Sequence, residues 1–194
     1  MSDFQDVVRR RRMVRSFTAE PVPDEVVERL VANAQRGPSA GFTQGVELLV
    51  LNGVEETGRF WDVSLPAAER EDFAWPGLLG APLLVLPWTS AQAYRDRYAL
   101  ADKASAPKQW DVPYWHVDAA FAALLALLTA VDAGLGALFF RVFRPDAVRA
   151  AFAVPTEFEP VGAVAVGYPA PDRPSTSSRR PRRPSAEVVH RGRW

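Results

Sequence analysis

The chain has 194 residues, is 48% hydrophobic and carries 23 basic and 23 acidic side chains, a balance that suits one hydrophobic core and leaves little for a second domain. Cysteine is absent and histidine occurs only twice, which excludes disulfides, thiolate nucleophiles and cysteine-ligated metal. The zero net charge hides a segregation, because residues 1–17 carry +3, residues 173–194 carry +6 and the stretch between them carries −9.

In chain order, Ser2 and Gln5 have capping-box spacing and Phe4, Val7 and Val8 share a face, so a first helix is predicted to about Arg12. It carries an arginine cluster at its C-terminal end. Pro21-Val22-Pro23-Asp24 opens a second helix with the stripe Val26, Val27, Leu30, Val31 and Ala34, and Gly37-Pro38 stops it. Residues 39–45 read as a loop. Strands are predicted over 46–51, ended by Asn52-Gly53, and over 82–86, with a short helix over 55–62 and an irregular stretch over 67–80 between them. Residues 91–100 are weakly helical. Residues 101–115, with Lys103, Pro107, Lys108, Trp110, Pro113, Tyr114 and Trp115, form a long connection of the kind that covers a site.

The most apolar helix is predicted over 117–133, hydrophobic nearly all round and therefore central, with Gly134 as its cap. Its longest apolar run, Ala119 to Leu128, is too short to span a bilayer. A strand over 137–142, a helix from Pro145 to Phe152 and a strand over 161–167 follow. Beyond Pro169 the composition turns to Pro, Ser, Thr and Arg until Glu187-Val188-Val189, a short strand. Strands separated by helices, with a terminal arm, predict a layered α+β domain. The first residues lack the apolar core of a secretory signal, which predicts a cytoplasmic protein.

Eleven of the 21 arginines lie in two end segments, Arg9–Arg12 with Arg15, and Arg179, Arg180, Arg182, Arg183, Arg191 and Arg193. Guanidinium forks bind phosphate bidentately and stay charged near neutral pH, so arginines drawn from both ends suggest a phosphate site assembled by folding. A nucleic-acid patch is the competing reading. Against it, the first cluster is embedded between a capped helix and Val14-Arg15-Ser16-Phe17, whose apolar members must pack. Six tryptophans and eleven phenylalanines fit a large aromatic core, and also a protein that stacks on a planar ligand. His116 and Asp118 at i and i+2 do not share a helical face, so no metal site is expected. No G-x-S-x-G elbow, P-loop or G-x-G-x-x-G is present. Gly134-Leu135-Gly136 alone reads as a helix cap and tight turn.

Taken together, Arg11-Arg12-Met13-Val14-Arg15-Ser16-Phe17, a Pro-Val-Pro before a second helix, and Gly37-Pro38-Ser39-Ala40-Gly41-Phe42-Thr43-Gln44 before a strand resemble the opening of the FMN-dependent nitroreductase family. Val131 to Ala137 resembles that family's helix-end Gly-Leu-Gly segment, and Arg180-Pro181-Arg182-Arg183-Pro184 its C-terminal basic phosphate contact. The resemblance implies a central, mainly antiparallel sheet flanked by helices in an intertwined homodimer. It divides the chain into an FMN-binding domain over 1–168 and a basic arm over 169–194 that extends over the partner.

It further implies that Arg11 and Arg182 bind the FMN phosphate with Arg180 beside them, that Arg12 lies at the phosphate or ribityl end, and that Arg15 sits near N1 and the C2 carbonyl, where reduced flavin carries negative charge. Pro38, Ser39, Ala40 and Gly41 are expected to reach the flavin of the partner subunit. Backbone N–H groups around Gly136, from Leu135 to Ala137, are expected to face N5 and O4. Met13 stands where the family often has Ser and keeps only its backbone N–H as a contact, while Phe42 stands where Asn is frequent. Phe73, Ala74, Trp75 and Pro76 offer no counterpart to the family's polar contacts with the flavin edge.

The implied activity is hydride transfer from NADH or NADPH through FMN to a small planar organic acceptor, nitroaromatic or quinone-like, by a ping-pong mechanism with no catalytic side chain. Phe42, Trp75, Trp110, Tyr114 and Trp115 are candidates for the acceptor pocket, with packing inside the dimer as the alternative for each. Neither nucleic acid nor membrane is an expected partner. Flavin storage without turnover, and flavin cleavage or dehalogenation, remain alternatives.

Overall fold

The computed structural model describes residues 3–106, 110–173 and 180–194. Its helices are α1 (Phe4–Arg10), α2 (Asp24–Ala34), α3 (Val54–Ser64), α4 (Ala67–Arg70), α5 (Ala91–Tyr98), α6 (Tyr114–Asp132), α7 (Pro145–Ala151) and α8 (Ser185–Val188). The strands are β1 (Val46–Asn52), β2 (Leu83–Thr89), β3 (Gly136–Phe140), β4 (Glu159–Pro160) and β5 (Ala163–Gly167). They form one antiparallel sheet in the order β1-β2-β5-β3, with β4 extending β2.

Strand β2 is buried on both faces, and its alternation sorts side chains between two cores. Leu84, Leu86 and Trp88 join Phe60 and Trp61 of α3 on one side. Leu83 and Val85 face the other, with Leu30 of α2 and Ala122, Ala123, Ala126 and Ala130 of α6. Strand β5 repeats the division, Ala163 and Ala165 on the first face and Val164 and Val166 on the second. The alanines of α6 recur at helical spacing and let it lie close to the sheet and α2. By length and hydropathy α6 would also pass as a membrane span, but half of it is buried in this core.

Several predicted boundaries move for identifiable reasons. Helix α1 ends at Arg10 rather than Arg12, because the chain straightens at Arg11 and Met13 bridges in parallel to Ala137 of β3. Its cap is Asp3, whose side chain accepts from the Gln5 N–H at 3.2 Å; Ser2 lies outside the described residues, as do Pro107, Lys108 and Arg179. Strand β2 runs through Pro87 instead of stopping at Leu86. Strand β5 leaves it after Val85 and β4 joins at Trp88, so the missing proline N–H falls where the ladder changes partner. The stretch 67–80 holds the short α4 and a 3₁₀ turn, Pro76–Gly80. The short strand predicted at Glu187-Val188-Val189 is a single helical turn, α8: the Val189 N–H donates to the Ser185 carbonyl at 2.8 Å, and Arg183 reaches across to Glu187. Local bonds win there because no strand of the sheet pairs with it among the described residues.

Candidate functional site

The two ends of α6 organise the predicted site residues. At its C-terminal end, Gly134 turns the chain with φ +79° and β3 begins. The extended Arg11–Arg15 segment lies alongside, held by the Val14 N–H to the Ala137 carbonyl at 3.0 Å. A Cβ on Gly136 would sit 2.8 Å from Val14 Cγ2, so the approach requires glycine. Arg10, Arg12, Val14, Val131, Gly134, Leu135, Gly136 and Pro169 enclose a hollow of about 160 Å³ beside this contact. The first arginine cluster and the Gly-Leu-Gly segment, far apart in sequence, thus share one cleft.

Arg11, between these two arginines in the chain, is half-buried and is not among the residues that line the hollow; its Nη1 is buried without a hydrogen-bond partner. Leaving such a group unsatisfied costs on the order of 1–3 kcal/mol. The guanidiniums that line the hollow are those of Arg10 and Arg12, a donor set that fits a phosphate. Arg15 donates to the Met13 carbonyl at 3.4 Å and lies over the Trp75 ring, 4.9 Å from its centroid. Arg11, Arg12 and Arg15 form no salt bridge among the described residues. Leu135 corrects one expectation. Its N–H donates to the Ala130 carbonyl at 2.9 Å, closing the helix, and does not face the cleft as a free donor.

At the N-terminal end of α6, the buried carboxylate of Asp118 accepts from the Ala40 N–H at 2.8 Å and from the Tyr94 hydroxyl at 2.7 Å, both on Oδ2. Burial, reinforced by the Asp118 hydrogen bond and charge, pushes the Tyr94 phenol well above its usual range. The loop over 39–44 closes on itself through the Gln44 N–H to Ser39 Oγ at 2.8 Å and Thr43 Oγ1 to the Ala40 carbonyl at 2.6 Å. Arg97 Nε adds a bond to the Gly41 carbonyl at 2.9 Å while its guanidinium pairs with Asp102, whose carboxyl it holds below the usual range. With Ala40, Phe42, Thr43 and Gln44 N–H groups all engaged, the loop presents shape and apolar surface. Pro38 and Phe42 are exposed, Phe42 at 74%. Pro38, Ser39, Phe42 and Asp118 help line a hollow of about 330 Å³ between α2, β1 and α6.

The five aromatic candidates separate into groups. Trp110 packs on Tyr98 at 4.5 Å, Tyr114 at 5.6 Å and Trp115 at 6.1 Å between ring centroids, a cluster near the 39–44 loop. Trp115 also donates to Glu159 at 3.1 Å, next to the His116–Glu159 pair. Trp75 stands apart from these, beside Arg15. Arg180 and Arg182 lie on an arm whose described residues, 180–194, are exposed throughout. Sequence reasoning missed Asp118, Tyr94 and Arg97 as supports of the loop. The available signal was Asp118 itself, a carboxylate inside the most apolar helix, weighed only as a metal partner of His116.

Within one chain the two regions cannot meet. From Asp118 to Asp132 the helix rises by roughly 21 Å at about 1.5 Å per residue, so the cleft beside Gly136 and the 39–44 loop stand at opposite ends of α6.

An antiparallel sheet between helical layers, with a cationic cleft at the start of β3, defines an α+β protein. Its fold is shared with a nitroreductase family protein of Clostridium difficile 630, at 22% identity and TM-score 0.71 with all of both chains covered. A Staphylococcus epidermidis protein with the provisional name NAD(P)H:FMN oxidoreductase superposes with TM-score 0.73 at 18% identity, over 98% of this chain and 96% of that one. In sequence, an NADPH-dependent oxidoreductase of Staphylococcus aureus is 26% identical over 100% of this chain and 75% of its own length. Residues 8–168 match the Nitroreductase family, and the chain belongs to it. Membership makes it an enzyme of the oxidoreductase class.

Proposed function

We propose that the chain is a homodimeric, NAD(P)H-dependent FMN oxidoreductase that reduces a small planar acceptor, nitroaromatic or quinone-like. The observation that carries this reading is the cleft that Arg10 and Arg12 line together with Gly134, Leu135 and Gly136. The names of the two staphylococcal proteins support the same donor and cofactor classes.

FMN, when bound, supplies the hydride-accepting ring, and NADH or NADPH the hydride. The chain's residues bind and orient. Arg11 and Arg12, joined by Arg180 and Arg182 from the arm, would hold the phosphate. Arg15 would face the pyrimidine edge, with Met13 contributing its backbone and Gly136 and Ala137 lining the ring's approach. Donor and acceptor would use one place in turn, which gives ping-pong kinetics.

The loop over Pro38, Ser39, Ala40 and Gly41 would come from the second copy, whose two-fold relation brings opposite ends of α6 together. Exposed apolar residues Phe4 and Val8 of α1 and Phe121 and Leu124 of α6 support such a partner face. The start of the arm, residues 169–173, packs on its own chain through the Phe17–Pro169 bridge and Arg173, and residues 180–194 would lie across that partner, covering Val188, Val189 and Trp194, which are exposed on one chain.

The test is direct. Purified protein is expected to be yellow and to bleach rapidly with NADPH without oxygen, whereas colour that persists indicates storage without turnover. Arg11→Ala and Arg182→Ala are each expected to lower FMN affinity by one to several powers of ten, from a lost charged hydrogen bond of about 1.5–3 kcal/mol. Unchanged retention in both would contradict the phosphate assignment.

A further inference from the structure

Three segments remote in sequence converge beside Arg15. Ser16–Phe17 runs antiparallel to the chain after β5, through the Phe17–Pro169 bridge, the Thr18 N–H to the Tyr168 carbonyl at 2.9 Å and the Ala170 N–H to the Ser16 carbonyl at 2.9 Å. On its other side, the Phe17 N–H donates to the Gly77 carbonyl at 3.1 Å. The register places Arg173 next to the stretch 74–77, where its guanidinium donates to the Ala74 carbonyl and lies 5.0 Å from the Trp75 ring centroid.

Arg15 lies 4.9 Å from the same centroid. Two cations therefore stand no more than about 10 Å apart, within roughly one Debye length at moderate salt, where they repel. Neither forms a salt bridge among the described residues, although Asp172 adjoins one of them. The electron-rich indole face offsets part of this repulsion and fixes both guanidiniums in place. An anion shared between them would offset the rest. Beside them, Ser16, Phe73, Ala74, Pro76, Gly77, Pro171, Asp172 and Arg173 border an open hollow of about 580 Å³.

We infer that Arg15 and Arg173, clamped on Trp75, form a paired cationic site for the N1–C2 edge of reduced flavin, and that Arg173 replaces the polar contacts that residues 73–76 lack. The inference rests on the FMN reading above. A second fixed positive charge there stabilises the reduced ring more than the oxidised one and so raises its potential. Arg173 acts as a potential-setting residue at the edge opposite to any phosphate role of the arm.

The experiment uses full-length protein loaded with FMN, comparing wild type with Arg173→Gln and Arg173→Lys by midpoint potential and by sulfite titration. Sulfite donates its electron pair to flavin N5 and displaces negative charge onto the N1–C2 edge, so its affinity reads the cations there without donor or acceptor. Arg173→Gln is expected to weaken sulfite binding about tenfold and lower the two-electron potential by the equivalent, about 30 mV, while Arg173→Lys retains most of both. An unchanged potential and sulfite affinity in Arg173→Gln would overturn the inference. So would an equal loss in Arg173→Lys, which would trace the effect to packing on Trp75. Failure of the wild type to take up FMN removes the parent reading as well, whereas a flavin-loaded wild type with an indifferent Arg173→Gln removes this inference alone.

Discussion

The C-terminal end of α6 gathers arginines around a cleft and leaves a buried Arg11 Nη1 without an acceptor, whereas the N-terminal end surrounds a buried Asp118 with donors from Ala40 and Tyr94. One end is organised at the expense of its own stability and the other for it. The difference is one of charge, because cations gather at one end while the other holds a buried carboxylate whose donors are its own neighbours. With a cationic end and a scaffold end on one helix, the proposed site needs a second copy to bring the loop and the cleft together.

The comparison can be broken most severely at the face between copies. Leu124→Glu, at a position 44% exposed on α6, is expected to dissociate the dimer and abolish FMN binding while leaving a folded monomer; sedimentation and flavin absorbance read both. A dimer retaining full flavin would show that the two ends of α6 are not paired in this way.

Next in size is a reversal of sign. Arg11→Met is expected to reduce FMN affinity tenfold or more and yet leave the apo protein as stable or more stable by about 1 kcal/mol, because an unsatisfied buried donor is removed. Asp118→Ala should do the opposite, destabilising the apo protein by about 3 kcal/mol through two hydrogen bonds to a charged group. Thermal melts of both apo variants decide whether the two ends differ as described.

The smallest effect depends on pH. The Tyr94 phenol is raised above its ordinary 10.0 by burial first and Asp118 second, so its protonated form stabilises the fold fully below that value. That contribution is lost as pH rises through the unfolded and then the folded pKa. Between about pH 9 and pH 11 the wild type should lose stability that Tyr94→Phe, lacking the phenol and about 1 kcal/mol weaker at neutral pH, does not lose. Parallel melting curves across that range would contradict the Tyr94–Asp118 link.

The arginine cluster and the Gly-Leu-Gly turn were legible in the sequence because each is built from neighbours in the chain, and the sheet because its strands are bounded by turn residues. The continuation of β2 through Pro87 was not, since it depends on which strand stands opposite each residue. Nor could composition tell that Trp110, Tyr114 and Trp115 cluster at one end of α6 while Trp75 joins Arg15. That division is set by tertiary topology. The turn at α8 was misread because Val188-Val189 has strand propensity, and among the described residues no strand of the sheet takes it up.

A mixed dimer tests the central claim most directly. One subunit carries Arg11→Ala, and the other carries Gly41→Val, which strains a loop residue at φ +63° whose Cβ would lie 2.6 Å from the Tyr98 ring. If each flavin site takes its arginines from one chain and its loop from the other, both defects fall in a single site, and the purified heterodimer binds one FMN with wild-type affinity. If arginines and loop of the same chain serve the same flavin, each site carries one defect, and no wild-type-affinity FMN is bound.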